Sequence, residues 1–350
     1  MRYPEDLKDG GTIGFLAPSF GCNIEPYRSA FDHALDKWQS MGYETVLGPN
    51  CYVGEGIGIS NTPEKCGAEV MEMFCGQEAD ALISCGGGEL MCEILEHVDF
   101  ARLAQARPKW FMGYSDNTNL IYPLVTLCDT AAIYGPCGAA FGMEPWHVSV
   151  RDAYELMTGE KRTVESYPLW ERESLRNEEN PLQPYYVTEP LALKAYLGGK
   201  LIMNPEEEGT ELRVTGRLLG GCMDCLVNLL GTKFDGTTSF CEKYREDGIL
   251  WMLEACDLNV MSIRRAMWQM EQAGWFRHVK GFLFGRALNS EPVMGLDAYQ
   301  AVLAVAAKYH VPVIMDLDIG HLSPMMPLVV GSVATVHLRG NHVKVKMEYC

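Results

Sequence analysis

Short apolar runs alternate with amphipathic stretches through the first half of the chain, at the spacings of β–α units. Residues 12–17 read as a buried strand. Over 27–41, Phe31, Ala34, Leu35 and Trp38 share one helical face, and Gly42 follows as a stop. Val46 and Leu47 belong to a second strand, and Thr62-Pro63 joins an N-cap to a proline at the first helical position, opening a helix to about Cys75. Residues 81–85 and 110–113 are further strands; the first runs into Gly86-Gly87-Gly88 and the second hands directly to a helix. Strand followed by helix in this order predicts a parallel sheet whose chemistry sits in the loops at the carboxyl ends of its strands.

Near residue 160 the pattern gives way to charge and proline: Glu171-Arg172-Glu173, Glu178-Glu179, Pro181 and Pro184. This predicts a linker over 161–190 between an N-terminal domain (1–160) and a C-terminal domain (191–350). The second half predicts β structure over 212–219, an apolar helix over 225–230, a strand over 249–253 and a helix over 258–272. A strand over 281–284, a helix over 298–309, a strand over 311–315 and a hairpin around Gly340-Asn341 complete it. Glu206-Glu207-Glu208 reads as a solvated loop.

Composition narrows the function classes. The 350 residues carry 46 acidic and 29 basic side chains, a formal charge of −17. With no Lys/Arg cluster to offset that charge, nucleic acid is not an expected partner. Thirteen cysteines are an odd number in a chain far longer than disulfide-stapled domains, and they read as reduced core thiols. The charged start, with Pro4, has no signal-peptide pattern, and no apolar run approaches the roughly 20 residues a bilayer requires, so a cytoplasmic protein without membrane contact is expected.

Four places hold candidate chemistry. In Gly113-Tyr114-Ser115-Asp116-Asn117 an apolar strand breaks at a glycine and turns into a helix. Such a turn lifts the Ser115 hydroxyl above the sheet and aims the backbone N–H of Asp116 at a developing oxyanion; the plainer reading is a helix cap. Gly86-Gly87-Gly88 can bring bare backbone N–H groups to a ligand as a second oxyanion donor, or form a tight turn only, since it fits neither nucleotide-binding fingerprint. Glu254 ends the apolar run 249–253 and either orients an imidazolium or faces solvent. Asp316, Asp318 and His321 crowd the end of a strand, where they could hold a divalent metal, or where His321 could serve as general base. Cys222-Met223-Asp224-Cys225 has no matching second pair and reads as helix packing, and Trp170 is a candidate aromatic platform for a ring-bearing substrate.

Taken in order, Gly11-Thr12-Ile13-Gly14, Gly113-Tyr114-Ser115-Asp116, Glu254 and His321 resemble the serine peptidase family that includes murein LD-carboxypeptidase and the microcin C self-immunity protein. The resemblance runs over most of the chain. It implies a parallel-sheet α/β domain carrying the serine, and a swivelling, β-rich C-terminal α/β domain carrying the glutamate and histidine, in a homodimer. It further implies Ser115 as nucleophile, His321 as base, Glu254 as its orienting acid, and the N–H groups of Asp116 and Gly88 as oxyanion hole. Gly87, Glu89 and Trp170 fall at substrate-binding positions; many members carry an aromatic residue where Glu89 stands. No metal or cofactor is expected. The substrate would be a murein tetrapeptide losing its terminal D-alanine, or an aminoacyl-nucleotide. Two other classes remain open on the residues alone: a metal-dependent hydrolase using Asp316, Asp318 and His321, and a non-catalytic peptide- or nucleotide-binding protein.

Overall fold

A computed structural model describes residues 1–203 and 211–350. Glu206-Glu207-Glu208 lies outside the described residues. The chain divides into two α/β units: Met1–Lys161 with Glu173–Tyr186, and Arg162–Arg172 with Val187–Cys350.

The first unit is built on five parallel strands, β1 (Thr12–Leu16), β2 (Glu44–Leu47), β3 (Ala81–Ser84), β4 (Trp110–Gly113) and β5 (Ala132–Tyr134), in the order β5-β4-β3-β1-β2. Every residue of β3, β4 and β5 is buried, as expected of parallel strands covered on both faces. Helix α1 (Tyr27–Ser40) buries Ala30, Phe31, Ala34 and Trp38, the stripe its sequence spacing predicts. Helix α2 (Pro63–Cys75) opens with the Thr62 side chain accepting from the Lys65 N–H and with proline in its first turn. A short helix α3 (Phe100–Leu103) precedes β4, and α4 (Thr118–Thr126) and α5 (Val148–Thr158) follow β4 and β5. Strand β5 and helix α5 have no counterpart in the sequence reading: one is three residues long, and the other buries Val150, Ala153, Leu156 and Met157, a helical spacing that the reading left unused.

The segment 161–190 is more ordered than a linker. β6 (Thr163–Glu165) adds to the edge of the second unit's sheet through the last strand of the chain, with Val164 fully buried. β7 (Leu169–Trp170) pairs with β8 (Glu189–Pro190), while the intervening 173–186 belongs to the first unit, where the Glu144 N–H donates to the Leu182 carbonyl. Charge and proline hide these pieces because each is a strand of only two or three residues, too short to show a period of its own.

The second unit carries a nine-stranded mixed sheet. Its centre is parallel: β11 (Glu211–Cys222), β12 (Ile249–Glu254), β13 (Val279–Gly285) and β14 (Pro312–Leu317). Antiparallel strands β9 (Lys194–Leu197) and β10 (Lys200–Met203) extend one side. The hairpin β16 (Val333–Arg339) and β17 (His342–Glu348) extends the other, turning at Gly340-Asn341 with Gly340 at φ +52°. Between these lie helices α6 (Met223–Leu229), α7 (Thr237–Lys243), α8 (Val260–Gln272) and α9 (Ala298–Ala306), and a short strand β15 (Leu328–Val330). Asn259 caps α8, and α9 opens with a capping box between Asp297 and Gln300. All six residues of β12 are buried, so the carboxylate that ends it is forced into contact with its surroundings. Among the described residues, no helix is long and apolar enough to cross a membrane.

Candidate active site

Ser115 sits where β4 ends and the chain turns through a single 3-10 turn into α4. Its φ is +62°, a left-handed conformation that costs a non-glycine residue about 1–2 kcal/mol, so the surrounding contacts must hold it. They are identifiable. The Ser115 N–H donates to the Tyr134 hydroxyl at 3.2 Å. Asp116 is buried, and its carboxylate accepts from Ser19 Oγ at 2.5 Å, from the Met91 N–H at 3.0 Å and from Asn119 Nδ2 at 2.8 Å. Burial pushes the Asp116 carboxyl above its ordinary range, and these three donors pull it back. Asn117 Nδ2 donates to the carbonyls of Gly86 at 2.8 Å and Tyr114 at 3.0 Å, tying the serine turn to the glycine loop.

Close approach requires glycine at 88 and leaves little room for a side chain at 87. A Cβ on Gly87 would lie 3.3 Å from Ser115 Oγ, so the Gly87 backbone lies directly against the serine side chain. A Cβ on Gly88 would lie 2.2 Å from Ser19 Oγ and 2.7 Å from the Gly58 carbonyl. The face turned to Ser115 is therefore that of Gly87, and the peptide joining it to Gly88 carries the N–H named for the oxyanion hole. The exposed Glu89 is anchored through its backbone N–H, which donates to the Gly58 carbonyl at 2.9 Å.

In the second unit, Glu254 Oε2 and His321 Nδ1 lie 2.9 Å apart, the carboxylate 1% exposed. Two glycines make room for this pair. At Gly320, φ is +105° and a Cβ would fall 2.6 Å from Glu254 Oε2; at Gly285 a Cβ would strike the Ile319 carbonyl at 1.9 Å. Burial favours the neutral imidazole of His321, but the Glu254 charge, with hydrogen bonds to Cys256 and Glu254, outweighs it and raises the proton affinity well above that of an ordinary histidine. Glu254 also lines a cavity of about 350 Å³ within this unit, shared with Trp170, Arg286, Tyr299 and Asp316. Trp170 is anchored there, its Nε1 donating to the Pro190 carbonyl at 3.1 Å and the Arg286 guanidinium 5.0 Å from its ring centroid.

The three candidate metal ligands go to different partners. Asp318 is fully buried and pairs with Arg286 at 2.6 Å, Asp316 accepts from the Tyr299 hydroxyl at 2.7 Å, and His321 turns to Glu254. Among the described residues, no group of three His, Cys, Asp or Glu side chains could hold a metal ion. The thirteen cysteines are all free thiols, and Cys222 Sγ lies 3.3 Å from Asp224 Oδ2 at the start of α6.

Sequence reasoning missed Tyr134, Ser19 and the Arg286–Asp318 pair. Only Tyr134 left a signal, as a polar-tipped residue ending the apolar run 131–134 before Gly135.

Family models for the LD-carboxypeptidase N-terminal and C-terminal domains match residues 13–135 and 215–336. The chain belongs to the LD-carboxypeptidase family. Both units of this family member are thus matched, and membership places it among hydrolases. It is 24% identical over 338 residues to the probable murein peptide carboxypeptidase of Bacillus subtilis, covering 95% of this chain and 91% of that one. It is 22% identical to the Microcin C7 self-immunity protein MccF of Escherichia coli, over 98% and 95% of the two chains. A solved structure of the Microcin C7 self-immunity protein with aspartyl sulfamoyl adenosine superposes with a TM-score of 0.78 at 20% identity, covering 100% of this chain and 99% of that one. That likeness shows the shared fold.

Proposed function

We propose that this LD-carboxypeptidase family member is a serine-type amidase, cleaving an amide bond next to a free carboxylate by acyl transfer to Ser115. Ser115 Oγ attacks the carbonyl carbon, and His321 Nε2 takes its proton. The tetrahedral oxyanion is held by the backbone N–H groups of Asp116 and Gly88, each worth about 3 kcal/mol. Collapse expels the amine, which receives the proton from His321, and water then hydrolyses the ester by the reverse relay. Glu254, bound to Nδ1, holds the tautomer that directs Nε2 to the reaction.

The observation that carries this reading is the +62° φ of Ser115 at the carboxyl end of β4. Strain of this kind persists where a side chain must be presented, and a plain helix cap does not need it. The His321–Glu254 pair supports it as a base already oriented by a carboxylate.

Two substrate classes fit. A murein tetrapeptide losing its terminal D-alanine is suggested by the relative described as a probable murein peptide carboxypeptidase. An aminoacyl-nucleotide is supported by Trp170, whose ring flanks the cavity beside Glu254, and by the relative solved with aspartyl sulfamoyl adenosine.

The test is covalent labelling of the purified chain with a fluorophosphonate, followed by peptide mass mapping. A single adduct on Ser115, lost in Ser115→Ala and unaffected by chelators, is expected. Absence of an adduct on Ser115, with hydrolysis of either substrate persisting in Ser115→Ala, overturns the reading.

A further inference from the structure

The proposed mechanism gives no task to the segment that follows β1, Ala17-Pro18-Ser19-Phe20, yet this segment is bonded to both loops named for the oxyanion hole. Ser19 is fully buried, and its hydroxyl donates to Asp116 Oδ2 at 2.5 Å. The same carboxylate oxygen accepts from the Met91 N–H at 3.0 Å, so Asp116 ties the segment after β1 to the far end of the glycine loop. One residue on, the Phe20 N–H donates to the Gly87 carbonyl at 2.7 Å.

That last bond sets a direction. A trans peptide is planar, and its C=O and N–H point to opposite sides. Anchoring the Gly87 carbonyl on Phe20 therefore turns the Gly88 N–H away from this segment and holds it there. The Gly88 backbone packs directly on the same two residues: a Cβ would fall 2.2 Å from Ser19 Oγ and 3.2 Å from the Phe20 nitrogen. The segment is itself held from behind. The Ser19 carbonyl accepts from the Ser60 N–H at 2.6 Å, and the Ala17 N–H donates to the buried Glu69 carboxylate at 2.9 Å.

The two oxyanion donors come from different loops, Gly88 after β3 and Asp116 after β4. Each loop can shift without the other unless a third element is bonded to both. We infer that Ser19 is a positioning residue for acyl transfer: its hydroxyl holds Asp116 beside the Phe20 N–H that holds Gly87, and so fixes the distance between the two N–H groups that receive the oxyanion. Ser19 touches no substrate. This role rests on the reading of Ser115 as nucleophile and of these N–H groups as its oxyanion hole. Donors aimed at the transition state matter little to ground-state binding, so the loss of Ser19 falls on the chemical step.

The test is the labelling of the full chain by an alkyl fluorophosphonate over a range of concentrations, which separates reagent binding (KI) from attack on phosphorus (kinact). In that attack the bond from Ser115 Oγ to phosphorus forms, fluoride leaves with the P–F electron pair, the proton passes to His321, and the phosphoryl oxygen takes up charge in the hole. Ser19→Ala, folded by circular dichroism, is expected to lower kinact about tenfold to hundredfold with KI within about twofold. Asp116→Asn is expected to slow kinact as well, and the double variant to be no slower than Asp116→Asn, because Ser19 acts through that carboxylate. An unchanged kinact in Ser19→Ala, a loss confined to KI, or losses that multiply in the double variant overturns the inference. If the alanine variant is unfolded, Ser19→Cys, whose thiol is a weaker donor of similar shape, is read in the same way and decides it. An unlabelled Ser115 in the unaltered chain rejects the serine mechanism; a labelled Ser115 whose rate ignores Ser19 rejects the positioning role alone.

Discussion

Asn117 donates its side-chain amide to the carbonyl of Gly86 at 2.8 Å, and so locks the turn that carries Ser115 to the glycine loop that follows β3. A second donation from the same amide, to Tyr114 at 3.0 Å, closes the turn on itself. A glycine at this position would leave both carbonyls without that donor.

Asn117→Ala is therefore expected to cost about 1–3 kcal/mol of stability and to lower kcat more than KM. Asn117→Asp is expected to be worse on both counts, because a carboxylate placed against two carbonyls accepts and cannot donate. Thermal denaturation and steady-state kinetics on the two variants check the order; equal effects would remove the donor role.

Ser115 separates strain from chemistry. Ser115→Gly and Ser115→Ala are both expected to abolish turnover while remaining folded. Glycine is expected to be the more stable of the two by about 1 kcal/mol, since only it adopts a left-handed φ without cost. Chemical denaturation measures the difference, and an alanine variant at least as stable as the glycine one contradicts a strained turn.

The pairing of His321 with Glu254 sets the sign of the pH profile. A base must be neutral to act, so activity rises as pH rises through its pKa, and the carboxylate raises that pKa above the ordinary histidine value. The acidic limb of kcat/KM is thus expected above about pH 6.5. Glu254→Gln removes the anion, so the limb should move to lower pH while the plateau falls. A limb that stays in place or moves upward would detach Glu254 from the base.

Gly320 is the nearest thing to a single-atom test of that pair. Gly320→Ala would place a Cβ 2.6 Å from Glu254 Oε2 at a φ of +105°. Backbone strain and displaced contact together are expected to cost about 1–3 kcal/mol and to lower kcat sharply. Wild-type kinetics in this variant would show that the Glu254–His321 contact tolerates movement.

Arg286 and Asp318 form a buried ion pair below the cavity, 8% and 0% exposed. Arg286→Met leaves the fully buried Asp318 with the Tyr167 N–H at 2.8 Å but no counter-ion, and a loss of about 3–5 kcal/mol is expected. Arg286→Met combined with Asp318→Leu should recover much of it. Denaturant midpoints of the single and double variants measure the coupling, and additive losses would argue against it.

The sequence by itself determined the elements whose patterns are long and local. Helix α1 follows from its apolar stripe, α2 from Thr62-Pro63, the hairpin from Gly340-Asn341, and β1, β3, β4 and β12 from apolar runs too short for helices. It also singled out Ser115, Glu254 and His321, because polar groups ending buried strands stand out against apolar neighbours. What it could not reach was non-local. The N–H of Ser115 finds Tyr134 on a three-residue strand, Asp116 finds Ser19 far back in the chain, and Arg286 finds Asp318 across two strand ends. Segment 161–190 hid its strands for the same reason, since β6 exists only by pairing with β17. Local patterns report what a stretch of chain buries against its own neighbours. The partners that satisfy a buried charge depend on which strand ends the folded sheet brings together, and only the tertiary structure decides that.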